Sequence, residues 1–154
     1  MRNLLEKNAP TLRLVAELVP REEMQSDWLR TLVRDMLDIM EEKGAVGVAA
    51  PQIGVSKRVI VFGTAYARRR KPEVDIPDTV LINPSFTVLS EIEETGYEGC
   101  LNCGDLMGPV PRAQEIEYSG YNMSGELVTK HATGLEARIL QHEVDHLNGF
   151  LGVV

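Results

Sequence analysis

The sequence predicts an α+β fold in which antiparallel strands pack around a central helix carrying His142 and His146. Three observations point there. A long amphipathic helix stands early in the chain, short runs rich in β-branched residues follow it, and a second helix comes after them. Strands in succession before one helix suit α+β rather than alternating β-α units. The 154 residues suit one core, so a single domain over 1–154 is expected.

The first helix is expected from about Asp27 to Lys43. Leu29, Leu32, Val33, Met36, Ile39 and Met40 fall at helical spacing and make one apolar stripe. Ser26 or Asp27 can cap its start and Gly44 can end it. Ala45 to Gln52 is apolar, built from small residues, and ends in a single amide. Lys57 to Gly63 reads as a strand, and Thr64 to Asp78 as a surface loop whose basic run Arg68-Arg69-Arg70-Lys71 is solvated. Strands are expected at Thr79–Asn83, Phe86–Leu89, Glu115–Tyr121 and Glu126–His131. The last two flank Asn122-Met123-Ser124-Gly125, a turn signal, and form a hairpin. The final helix begins near Thr133, where Thr133-Gly134-Leu135-Glu136 fits a capping box, and Asn148-Gly149 stops it.

Composition narrows the function. The chain is 44% hydrophobic and 25% charged, ordinary for a soluble globular protein. A formal net charge of −7 argues against binding DNA or RNA through phosphate contacts. Two nearby cysteines, Cys100 and Cys103, make no disulfide framework and imply a reducing compartment with thiols free. No apolar run reaches signal-peptide or transmembrane length, so the cytoplasm is expected and a membrane is not.

His142-Glu143-Val144-Asp145-His146 is an H-E-x-x-H pattern. Residues four apart share one helix face, so both imidazoles can reach one ion, with Glu143 beside them as a proton shuttle. Leu135 and Ile139 continue that face, which turns the histidines toward the core. Two core histidines satisfied by hydrogen bonds are the plainer alternative, and the spacing on a capped helix speaks against it. A catalytic site of this kind takes three protein ligands and an open position. His131 lies in a strand, and no histidine follows His146, so a cysteine is the better third ligand. Cys100 sits in a Gly-containing loop that allows close approach to an ion.

These segments resemble the peptide deformylase family. Its motifs, G-x-G-x-A-A-x-Q-like, E-G-C-L-S and Q-H-E-x-D-H, stand here as Ala45 to Gln52, Glu98 to Asn102 and Gln141 to His146. Val110-Pro111-Arg112 also fits, and the resemblance runs from about Pro10 to Leu151. It implies a peptide-deformylase-like fold around a metal-binding helix, and hydrolysis of formyl-methionyl peptides. Cys100, His142 and His146 would bind a divalent ion with water as fourth ligand. Glu143 would move the water proton to the leaving amine, and Gln52 with the Leu101 backbone N–H would stabilise the oxyanion. Gly47 would contact substrate backbone, and Val46, Leu135 and Ile139 would line a methionine pocket, although these three also suit ordinary core. The resemblance favours Fe²⁺ in the cell, with Zn²⁺, Ni²⁺ and Co²⁺ also compatible with the donor set. Arg112 and Asp145 are read either as groups orienting a ligand or as a plain buried ion pair, and Glu98 as a brace for the cysteine loop.

The chain departs from the family pattern at Ala45 for Gly, at Asn102 for Ser, and at Met107 where many bacterial members carry a basic residue that contacts the peptide. It also ends soon after His146, so the C-terminal helix that many members use at the ribosome is expected to be missing. Three other readings stay open. Cys100 and Cys103 form a C-x-x-C pair and would close a structural Cys₂His₂ zinc site with the two histidines. A deformylase-like module that binds peptides without turnover is the second. A different amidase on the same scaffold, or a general H-E-x-x-H peptidase, is the third.

Overall fold

The structure, a computed structural model, describes residues 2–68, 74–103 and 107–151. Helix α1 spans Asp27–Lys43 and buries the six stripe residues. It ends at Gly44 with φ +63°, a left-handed position that glycine takes without strain. The side-chain cap expected of Ser26 does not form, because its Oγ donates to Glu23 O at 2.6 Å instead. Arg68 is no free surface charge: it donates to the α1 carbonyls of Glu42 and Glu41, at the negative end of the helix dipole. The rest of the basic run, 69–71, lies outside the described residues.

The strands are β1 Gly47–Ala49, β2 Val59–Phe62, β3 Thr79–Val88, β4 Glu93–Gly99, β5 Met107–Ala113, β6 Glu115–Tyr121 and β7 Leu127–Thr133. β3 replaces two expected segments. The chain bulges between Ile82 and Ser85, where Asn83 takes φ +54° and its amide holds both backbone groups of Val19. The strand then continues past Pro84. β4 and β5 were not anticipated. The expected β6–β7 hairpin forms, turning on Asn122, whose Oδ1 accepts from Ser124 N and Glu126 N.

One antiparallel sheet runs β1-β2-β3-β6-β7, and β4-β5 makes a separate ribbon. β2 shows why the sheet is sandwiched. Val59 and Val61 face α1, Ile60 and Phe62 face the other layer, and all four are buried. Strand side chains alternate between faces, so an unbroken apolar run means cover on both sides. That other layer is helix α2, Gly134–Leu147, which packs against β1, β2, β3, β5, β6 and β7. The expected central helix is therefore observed. Its capping box is not: Thr133 makes no side-chain cap, and Glu136 is taken by Tyr118 Oη at 2.9 Å and Lys130 Nζ at 2.8 Å. Gly149, at φ +84°, marks the expected stop. Among the described residues no helix is long and apolar enough to cross a membrane.

Candidate metal centre and active site

Helix periodicity sets Leu135, Ile139, His142 and His146 along one side of α2, facing β1 and the β4-β5 ribbon. A cavity of about 630 Å³ opens there. Val46, Gly47, Gln52, Glu98, Cys100, Leu101, Leu135, Ile139, His142 and Glu143 all lie on its wall. Three distant segments thus deliver most of the residues the sequence nominates to one space. His146 stands behind the wall, 1% exposed, and His131 lies elsewhere, on β7 beside Glu115. A smaller cavity of about 340 Å³, bordered by Val74 and Glu136, shares Leu135 with the larger one and also meets His131.

The two imidazoles meet. Their Nε2 atoms are 3.1 Å apart and their planes are inclined at 78°. His142 Nδ1 lies 2.8 Å from Glu98 Oε1. An ionised carboxylate only accepts, so His142 Nδ1 carries a proton. Burial works against the charged imidazole, but the hydrogen bond to Glu98 and the charges of Glu143 and Glu98 outweigh it and raise the group above its ordinary value. Glu98 also takes Arg112 Nε at 3.0 Å, Arg112 Nη2 at 2.8 Å and Arg138 Nη1 at 2.6 Å. Burial works against its charge, but the hydrogen bonds from His142 and Arg112 outweigh burial and hold the carboxyl at about 2. Arg112 also pairs with Asp145, whose side chain is partly exposed. The buried ion pair of Arg112 is with Glu98, the carboxylate that holds His142 Nδ1.

Burial dominates the remaining groups. It lowers His146 to about 3, assisted by the charges of His142 and Arg112, which keeps this imidazole neutral. It raises Glu143 to about 7 and the Cys100 thiol to about 12. Two buried atoms have no partner among the described residues, His146 Nδ1 and Glu143 Oε1.

These residues suit a cation. Two imidazoles with facing nitrogens and a thiol on the cavity wall are a donor set for a borderline divalent ion. With His142 Nδ1–H committed to Glu98, an Nε2–Nε2 hydrogen bond alone leaves His146 Nδ1 bare and buried. Among the described residues, however, no three His, Cys, Asp or Glu side chains stand together tightly enough to hold an ion. The structure brings the two histidines together and sets Cys100 nearby. Cys103 packs with Leu12 and Leu151 and is not on the wall.

Gln52 sits in a 3₁₀ turn, Ala50–Ile53, and is 2% exposed. Its Oε1 accepts from Ala49 N at 2.8 Å, which points Nε2 toward Asn102 Oδ1 at 2.9 Å and Cys100 Sγ at 3.7 Å. Gly47 has a steric reason to be glycine: a Cβ there would stand 2.4 Å from Glu143 Oε2. Ala45 and Met107 also border the cavity.

Arg138, Tyr97 and Leu4 on the wall were missed in the sequence. For Arg138 a signal existed. It lies four residues before His142, one helical turn away on the same face.

The polypeptide deformylase family model matches residues 1–153. Peptide deformylase 2 of Pseudomonas syringae pv. tomato is 40% identical over 98% of this chain and 84% of its own length. Peptide deformylase 2 of Ralstonia nicotianae is 42% identical, covering 90% and 78%. The Met-Ala-Ser-bound class I type b peptide deformylase from Acinetobacter baumannii has a TM-score of 0.92 at 37% identity, covering 99% of this chain and 96% of that one. A probable peptide deformylase from synechococcus phage S-SSM7 has a TM-score of 0.83 at 32% identity, covering 99% and 98%. With sequence and fold both matched from end to end, the chain belongs to the peptide deformylase family.

Proposed function

We propose that this chain, acting as one catalytic unit, hydrolyses the formyl amide of formyl-methionyl peptides with Cys100, His142 and His146 holding one divalent cation. Removal of N-terminal formyl groups is the family's reaction, and the family is metal-dependent. The residue roles are our assignment. What carries it is the facing imidazole pair beside a buried, unpartnered carboxyl on a cavity wall.

When bound, the cation supplies a Lewis acid that makes water a strong nucleophile at neutral pH. Glu143 accepts the proton of the attacking water. Its raised pKa, about 7, suits a group that must take a proton and return it. The new C–O bond forms first as the carbonyl π pair moves onto the formyl oxygen, and when that pair returns the C–N bond breaks as Glu143 delivers the proton to the leaving amine. Products are formate and the free N-terminus. Gln52 Nε2 and the Leu101 N–H donate to the oxygen that gains charge. Glu98 holds the Nδ1 proton of His142 and so keeps Nε2 free to bind. Val46, Leu135 and Ile139 give the methionine side chain an apolar wall, and Gly47 lets the backbone pass beside Glu143.

A peptide substrate agrees with the Acinetobacter baumannii relative, described with Met-Ala-Ser bound. Nascent chains in the cytoplasm are the source we assign, with Fe²⁺ as the ion in the cell. Zn²⁺, Ni²⁺ or Co²⁺ would fit the same donors.

The test is formate release from a formyl-Met tripeptide by protein loaded anaerobically with Fe²⁺ and separately with Ni²⁺. We expect turnover with both, and Glu143→Ala to abolish it while keeping one ion per chain. One bound ion without formate in the unmodified protein would overturn the enzymatic reading. Metal loss in Glu143→Ala would make Glu143 structural.

A further inference from the structure

The geometry points to Asn102 as a positioning residue that fixes the rotamer of Gln52 and ties the start of the chain to the active-site wall. Asn102 is 8% exposed and uses all its usual hydrogen-bonding groups. Its Oδ1 accepts from Gln52 Nε2 at 2.9 Å. Its Nδ2 donates to Leu5 O at 2.8 Å and to Gln52 O at 3.1 Å. Leu5 N closes the cluster by donating to Gln52 O at 2.9 Å.

The orientation of both amides follows from their partners. Gln52 Oε1 must face Ala49 N–H, so Nε2 is the atom that reaches Asn102. Turning Asn102 over would set an NH₂ against that Nε2 and an oxygen against two carbonyls. The arrangement is therefore self-consistent in one direction only. One Nε2 proton of Gln52 is engaged by Asn102, which leaves the other on the side of Cys100 and the cavity. A side chain with a single hydroxyl cannot both accept from Gln52 and donate to two carbonyls. The asparagine of this chain thus makes a connection that a serine at 102 cannot complete. Through Leu5 it also joins Leu4, on the cavity wall, to the same cluster.

This inference rests on Gln52 as an oxyanion donor, and the test separates the two. Loss of one such donor costs about 10²–10³-fold in kcat, so a donor left present but unheld should cost roughly 10-fold. An interaction made only in the transition state lowers kcat and leaves KM alone. We would measure kcat and KM for formate release with nickel-loaded wild type, Asn102→Ala, Gln52→Leu and the double variant. Alongside, hydrogen exchange of the Gln52 side-chain amide would be followed by NMR.

The expected result is a fall in kcat of about 10-fold for Asn102→Ala with KM within twofold, and no further fall when it is added to Gln52→Leu. Gln52 Nε2 protons should exchange faster in Asn102→Ala. Asn102→Ser, which keeps one acceptor, should fall between alanine and wild type, and it carries the comparison if alanine does not fold. An undiminished effect of Asn102→Ala in the Gln52→Leu background, or unchanged exchange, would overturn the role of Asn102 alone. Wild-type kcat in Gln52→Leu would overturn the oxyanion reading of Gln52 and this inference with it.

Discussion

Replacing Gly47 by alanine adds one methyl group where β1 passes Glu143. The new Cβ would stand 2.4 Å from Oε2, 2.9 Å from Cδ and 3.0 Å from Cγ. Relaxed heavy-atom contacts lie near ~3.5 Å, so about 1 Å of room is missing. β1 cannot supply it cheaply, because all three of its residues are buried and paired to β2. The carboxyl therefore moves. Turning a side chain off its rotamer costs about 0.5–1.5 kcal/mol, and overpacking a tight site about 1–3 kcal/mol. The fold should survive with stability lowered by about 1–3 kcal/mol. Catalysis should suffer more, because a displacement of ~1 Å can cost about 100-fold in rate. The assay is kcat/KM for formate release, with urea melts and metal content on the same preparation. We expect a loss of about 100-fold in rate with the ion retained. Activity within a few-fold of wild type would refute the argument that Glu143 acts from its observed position.

Three further outcomes follow from the same geometry. Glu98→Gln removes the anion between Arg112, Arg138 and His142, and should cost about 3–5 kcal/mol in urea melts and weaken metal affinity about 10–100-fold by chelator competition. Unchanged affinity would mean that Glu98 braces only the ribbon. Cys103→Ala should keep one ion per chain and formate release within twofold, since Cys103 is off the cavity wall. Loss of the ion would instead favour a closed Cys₂His₂ site. Burial, with the hydrogen bond to Glu136 and its charge, raises the Tyr118 phenol above its ordinary 10.0. The folded chain then holds this proton longer than the unfolded one, so the contribution is complete below pH 10 and is lost as pH rises toward the folded value. Urea melts between pH 8 and about 11 should show wild type losing its advantage over Tyr118→Phe above pH 10, and a constant difference would remove the premise.

Local periodicity made α1 and the β6-β7 hairpin legible, and spacing alone placed His142 and His146 on one face. Elements defined by distant partners were harder to read. β4 is exposed along most of its length, and β5 contains Pro109 and Pro111, which lack an N–H to donate. Their register, Tyr97 opposite Pro109 and Thr95 opposite Pro111, exists because the two segments meet, and no local pattern announces it. Glu136 failed as a capping residue for a similar reason. Tyr118 on β6 and Lys130 on β7, brought beside it by the hairpin, offered it better partners. Single-site chemistry was equally split. The sequence considered Arg112 with Asp145 and Glu98 apart from them, and folding joined all three with Arg138 into one network.

The β4-β5 ribbon leaves the main sheet between β3 and β6, and Cys100 lies just beyond the end of β4. The histidines ride on a helix packed into the sheet core. The proposed ligands are therefore shared between a peripheral arm and a cooperative centre, two regions that open with different free energies. Departure of an ion need not wait for global unfolding. It requires only that the arm move away from α2, to which Glu98 is held by Arg138 and His142 and Arg112 by Asp145. Metal residence time should then track the protection of β4 amides rather than those of β2. The rate at which the protein swaps one divalent ion for another would be a property of the arm.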